Sequence, residues 1–209
     1  MSSKCGKFIS FEGGEGAGKS TQAALLFDYL KGIRLKALIT REPGGTPVAE
    51  KIRSIILDKG NDMALITEAV LYCAARAEHL SRVILPALER GVYVICDRFS
   101  DSTTAYQAYG RGLSANDIER LNDIATNGVK PDATVFLDIP PNAGFLRKGG
   151  ADDGDRMESA GREFHERVYN GFCAIAAAEP RRVLRIDALR GPEEVHRAIV
   201  AGLKERKII

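Results

Sequence analysis

Phe8-Ile9-Ser10-Phe11-Glu12-Gly13-Gly14-Glu15-Gly16-Ala17-Gly18-Lys19-Ser20-Thr21 is the stretch on which the reading of this chain turns. Its opening run is apolar and short, as a buried strand is, and a helical pattern starts at Lys19. Between them Gly13, Gly18, Lys19 and Ser20 satisfy the G-x-x-x-x-G-K-[ST] spacing of a phosphate-binding loop. Glycines allow backbone angles that turn several N–H groups onto one anion, and the helix N-terminus that follows adds partial positive charge. Lys19 is placed to lie along the outer phosphates, and the Ser20 hydroxyl to ligate Mg²⁺. Gly13, Gly14, Glu15, Gly16, Ala17, Gly18, Lys19, Ser20 and Thr21 are thus the expected cradle of a nucleoside triphosphate.

Outward from this loop, Ala23, Leu26, Leu30 and Ile33 recur at helical spacing over 19–31. Four more apolar runs read as strands: Leu35–Thr40, Val92–Cys96, Ala133–Leu137 and Val183–Ile186. Helices are expected between them. One starts at Thr46-Pro47, a long one runs from about Ile66 to Arg90 and stops at Gly91, and a short one capped by Ser100-Asp101-Ser102 reaches Tyr109. Further helices are capped by Ser114, run from Pro140 to Arg147, cover about 159–178, and carry Val195, Ile199 and Leu203 near the end. Strands that are apolar throughout suit a parallel sheet covered on both faces. The predicted fold is α/β, five parallel strands between helices. The small, polar, acidic stretch from Gly149 through Gly154 reads as a mobile segment.

The 209 residues suffice for one domain, 1–209, with a real core. Lys and Arg number 30 against 28 Asp and Glu, a net charge of +2, which argues against nucleic acid or an anionic membrane as main partner. No apolar run approaches a membrane span, and MSSKCGK lacks the apolar core of a signal peptide. The four cysteines form no CxxC, so neither a zinc site nor a redox pair is suggested, and a cytoplasmic setting is expected.

Ligands of such sheets gather at the C-terminal strand ends, where Glu12, Arg41, Glu42, Asp97 and Arg98 fall. Asp97 is expected to hold Mg²⁺ through water or to position a reactant; the alternative is a turn cap. Arg41 and Arg98, with Arg53 and Arg76 on helices, suggest a second anion beside the nucleotide, the alternative for each being a solvated ion pair. Tyr72 and Arg76 lie on one helix face, able to stack on and hydrogen-bond an aromatic ring unless Tyr72 is simply core. Ser102 and Tyr106, and Thr103 and Gln107, are likewise four apart and close to Asp97. The residues alone therefore describe an aromatic, polar-edged pocket beside a phosphate site. The three histidines stand near no nucleophile at catalytic spacing, so a hydrolase triad is unsupported.

Taken together, the phosphate loop, Thr40-Arg41-Glu42-Pro43-Gly44-Gly45-Thr46, Tyr72-x-x-x-Arg76-x-x-His79 and Asp97-Arg98-Phe99-Ser100-Asp101-Ser102 with Ala105-Tyr106-Gln107 resemble the bacterial thymidylate kinase family across nearly the whole chain. The resemblance implies the P-loop kinase fold and transfer of the ATP γ-phosphate to dTMP, with Mg²⁺ as cofactor. It implies that Arg98 and Arg53 grip the 5′-phosphate, Tyr72 stacks on thymine where the family usually has Phe, and Arg76 bonds its O4. Thr103 and Gln107 would read the base edge, and Tyr106 would crowd the sugar 2′ position, with Ser102 in the same pocket. Glu12, Glu42 and Asp97 would order metal, waters and sugar hydroxyl. A mobile lid at about 147–157 would cover ATP, with Arg156 favoured over Arg147 as its catalytic cation, and Asp187 to Arg190 would flank adenine. A homodimer and a cis Glu42-Pro43 bond are also expected. The alternatives are another nucleoside or nucleotide kinase of the same fold, or a nucleotide-binding module without transfer activity.

Overall fold

In the computed structural model, residues 6–149, 156, 157 and 160–209 are described. Five strands, β1 (Phe8–Glu12), β2 (Ala37–Arg41), β3 (Tyr93–Asp97), β4 (Ala133–Asp138) and β5 (Val183–Asp187), form a wholly parallel sheet in the order β2-β3-β1-β4-β5. The register pairs Phe11 with Asp97 and Arg41 with Asp97, which brings three predicted site strands to one rim. The chain leaves β1 toward β2 and leaves β4 toward β5, so the rim opens a crevice where the connections diverge.

Alternate side chains of the central strands serve two cores. Ile9 and Phe11 pack with Leu26 and Leu30 of α1 (Lys19–Gly32) and with Ile199 and Leu203 of α9 (Pro192–Glu205). Phe8, Val94 and Cys96 face Leu80, Ile84 and Phe99 on the other side. The remaining connections are α2 (Pro47–Leu57), α3 (Leu65–His79), α4 (Leu85–Glu89), α5 (Ser100–Thr103), α6 (Ala115–Thr126), α7 (Pro141–Arg147), whose Ala143 packs on the first core, and α8 (Arg162–Ala178). β2 is the exception to the expected burial: Ile39 is 40% exposed, because an edge strand has one partner and less cover.

Two predicted helices differ in winding. The long helix is α-helical to His79, widens to a π turn over Leu80–Ile84, and resumes as α4. Leu85 N–H bonds Leu80 O just ahead of Pro86, which has no N–H to continue the ladder. The segment after Ser100 is α-helical only to Thr103 and then π-wound over Thr104–Gly110, and no side chain caps it. Thr46 and Ser114 do cap α2 and α6, accepting from Ala49 and Asp117 N–H. Among the described residues no helix is long and apolar enough to cross a membrane.

Candidate active site

The glycine-rich turn is held close to its neighbours. Gly16 has φ 69°, and a Cβ there would collide with Gly144 O of α7. Gly18 precedes α1 at φ 87° without a side-chain cap, so the first amides of α1 remain for an anion. Lys19 folds back to donate to Gly13 O at 3.1 Å and Gly14 O at 2.8 Å. Burial, then Arg98, pushes its ammonium down to about 8. Ser20 Oγ donates to Asp97 Oδ2 at 2.5 Å, joining the start of α1 to the end of β3.

Arg98 follows at φ 73°, a strained angle for a residue with a side chain. The strain is held by its surroundings: Glu12 Oε1 accepts from Phe99 N at 2.7 Å and Glu12 Oε2 from Ser102 Oγ at 2.6 Å. Arg98 then donates to Glu15 Oε1 at 2.6 Å and Gly13 O at 3.0 Å, and stacks over the Tyr106 ring. Tyr106 O–H donates to the same Glu15 oxygen at 2.9 Å. Burial opposes charge on Glu15, but Arg98 and then Lys19 outweigh it and hold the carboxyl at about 2. On Glu12 burial wins, with Asp101 adding to it, and lifts the carboxyl to about 8.

Two adjoining cavities result. One, about 160 Å³, is lined by Glu15, Glu42, Pro43, Arg53, Leu57, Tyr72, Arg98, Ser102, Thr103, Tyr106, Gln107 and Met157. The next, about 330 Å³, holds Gly16, Gly18, Lys19, Ser20, Thr21, Arg41, Asp97 and Lys148, and shares Glu15, Glu42, Arg53 and Arg98 with the first. A third, about 390 Å³, runs from Gly16 and Thr21 past Arg147 to Ala188, Leu189 and Arg190. Most of the expected site residues line these cavities, and four are placed otherwise than expected. Glu12 lines none of these cavities, because both its oxygens hold the turn after β3. Arg76 is 2% exposed and stands behind the wall, donating to Glu42 Oε2, Asn122 Oδ1 and Phe99 O. Glu15 faces the smaller cavity rather than only the phosphate cradle. Arg156 lies beside α2 and α3, donating to Ile56 O and Glu68, and lines none of the three cavities, whereas Lys148 lines the one that holds Lys19 and Ser20. Of the expected lid at about 147–157, positions 150–155 lie outside the described residues.

Glu42 is the hinge between the cavities. Its carboxylate takes Arg76 Nε at 2.8 Å and pairs with His79 Nδ1 at 3.0 Å, and its bond to Pro43 is cis, as expected. Sequence spacing did not reveal Glu68, Arg111 or Asn122, whose partners are remote in the chain.

The family model described as thymidylate kinase matches residues 11–199. The chain belongs to the thymidylate kinase family. A thymidylate kinase of Chlorobaculum parvum is 47% identical over 96% of each chain. One from Synechococcus sp. strain JA-2-3B'a(2-13) is 51% identical over 90% of this chain and 89% of its own. The crystal structure of thymidylate kinase from Ehrlichia chaffeensis superposes with a TM-score of 0.80 at 35% identity, covering 95% of this chain and 99% of that one. This family and the fold it carries are those the motifs pointed to.

Proposed function

We propose that this chain transfers the γ-phosphoryl group of ATP to the 5′-phosphate of dTMP, giving dTDP and ADP for nucleotide biosynthesis, in the crevice just described. The observation that carries the assignment of roles is the shared wall: Glu15, Glu42, Arg53 and Arg98 border both cavities, so two phosphate groups meet there. The attacking oxygen belongs to a phosphate monoester whose second pKa is about 6, so it is already ionised at neutral pH and needs no strong base. What the reaction needs is positive charge between two anions and a fixed line of attack.

Lys19 exchanges its two backbone carbonyls for the outer phosphates, and the loop from Gly13 to Thr21 cradles the rest of ATP. Arg98, with Arg53, takes the acceptor phosphate. Tyr72 stacks on thymine, while Thr103 and Gln107 read its edge. Tyr106 fills the space beside the sugar, with Ser102 beneath it, and Glu15 accepts from a sugar hydroxyl. Glu42 sets the turn over both, braced by Arg76, and Glu12 fixes the backbone that aims Arg98. Ser20 and Asp97 offer two hard oxygen donors side by side, which suits Mg²⁺. When bound, Mg²⁺ neutralises phosphate charge. Lys148, rather than Arg156, serves as the cation of the lid at about 147–157. Ala188 to Arg190 flank adenine. Residues 1–209 act as one domain. Ile55, Leu65, Ile66 and Val70, each above 40% exposed on α2 and α3, support a homodimer through these helices. Free Cys73, Cys96 and Cys173 fit a reducing cytoplasm.

Initial rates of ADP release with ATP and a panel of nucleosides and nucleoside monophosphates test this. The expected result is fastest turnover with dTMP. Turnover of other acceptors but not dTMP would assign a different kinase, and ATP binding without ADP release from any acceptor would leave only a binding module.

A further inference from the structure

Gln107 has an NH₂ group and a carbonyl oxygen at its tip, and among the described residues only the NH₂ group is bonded. Nε2 bonds Glu68 Oε1 at 2.9 Å, while the side chain stands on the wall of the smaller cavity. Among the described residues no hydrogen bond reaches Gln107 Oε1, and that oxygen is not one of the polar atoms sealed from solvent without a partner. The carbonyl end is therefore the one that meets the cavity. An amide can turn over and exchange donor for acceptor, so its fixed partner decides which end a ligand finds.

That partner is unusually well held. Glu68 is fully buried and accepts from Arg111 Nε at 3.2 Å and Nη2 at 3.1 Å, and from Arg156 Nη2. Burial works against its charge, but Gln107, Arg111 and Arg156 outweigh it and keep the carboxyl below the usual range. An ionised carboxylate only accepts, so turning Gln107 over would set two oxygens against each other in a dry place.

We propose that Glu68 is the positioning residue of base recognition: it locks Gln107 with its carbonyl toward the cavity, so that the site takes a pyrimidine with an N3–H and refuses one whose N3 accepts. The proposal rests on the reading of this cavity as the dTMP site. It also gives Arg156 a task, holding Glu68 from the far side.

Steady-state kinetics on the full chain with dTMP and dCMP separate positioning from mere support. Glu68→Gln removes the charge and offers a donor, so Gln107 is free to turn over. The ratio of kcat/KM for dTMP to that for dCMP should fall about tenfold or more, chiefly through KM for dTMP. In a Gln107→Ala background the same substitution should leave the ratio unchanged. Equal loss toward both acceptors, or a fall that persists without Gln107, overturns the proposal. Glu68→Asp keeps the charge but withdraws it by about 1.5 Å. It decides the matter should Glu68→Gln not fold: a ratio lowered about threefold or more supports the proposal, and a wild-type ratio overturns it. Wild-type protein that fails to phosphorylate dTMP brings down the reading of the site and the proposal together, whereas normal wild-type turnover with an unaltered ratio brings down the proposal alone.

Discussion

On the proposed placement of the ligands the crevice has a phosphate end and a base end, and the two place charge where water is scarce in opposite ways. At the phosphate end the cations hold replaceable partners. Lys19 rests on the carbonyls of Gly13 and Gly14, and Arg98 divides its donors among Gly13 O, Ser102 and Glu15. At the base end the charges are compensated within the protein. Glu68 has Gln107, Arg111 and Arg156, and Glu42 has Arg76 and His79. The ligands explain the difference. Phosphates bring their own negative charge and can displace a weak partner, whereas a pyrimidine is neutral and cannot compensate a buried ion. A charge at the base end must therefore be satisfied before the ligand arrives.

If that contrast holds, cations at the phosphate end act mainly on the transition state. Lys19→Ala and Arg98→Ala should each lower kcat/KM for dTMP by about 100-fold or more, read from ADP release under saturating ATP. Losses within about threefold for both would erase the distinction between the ends. A finer cut compares Lys148 and Arg156, on either side of the proposed lid. Lys148→Ala should lower kcat about tenfold with KM for dTMP little changed. Arg156→Ala should instead raise KM for dTMP a few-fold with kcat nearly intact, because its guanidinium supports Glu68. The reverse pattern would return Arg156 to the phosphates.

The phosphate end was legible in the sequence, and the base end only partly so. A loop that must turn amides onto an anion needs glycines and Lys19 at fixed spacing, and that demand is written locally. Caps at Thr46 and Ser114 are local too, and both form. Glu68 meets Arg111 and Arg156 only because the fold brings α3, the end of the π-wound turn and the segment at Arg156 together, and no short pattern encodes that. The π turns escaped for a related reason. Apolar spacing records which face is buried, not whether Arg111 N–H reaches back five residues to Tyr106 O. Arg76 was placed on the right helix face, but its burial depth depended on Glu42, Asn122 and Phe99, far away in the chain.

The smallest effect isolates the contrast within four residues. Glu12 and Glu15 flank the same turn, yet the first is lifted to about 8 by burial and the second held at about 2 by Arg98 and Lys19 despite burial. Unfolded, both titrate near the ordinary value of 4.5. Between 4.5 and about 8 the folded protein holds a proton on Glu12 that the unfolded chain has lost, so stability contributed there falls as pH rises through that window. Glu15 contributes in the other direction: its share is present above 4.5 and is lost as pH falls toward about 2. Glu12→Gln removes the first slope and leaves the second. In ligand-free protein, the Tm of the variant relative to wild type should therefore climb steadily from pH 4.5 to about 8, while the two acid branches below 4.5 run parallel. Parallel Tm curves across the upper window would mean that Glu12 is ionised in the folded state. The turn aiming Arg98 would then carry a second full negative charge beneath the crevice, and the division between compensated and replaceable charge would no longer follow the two ends of the site.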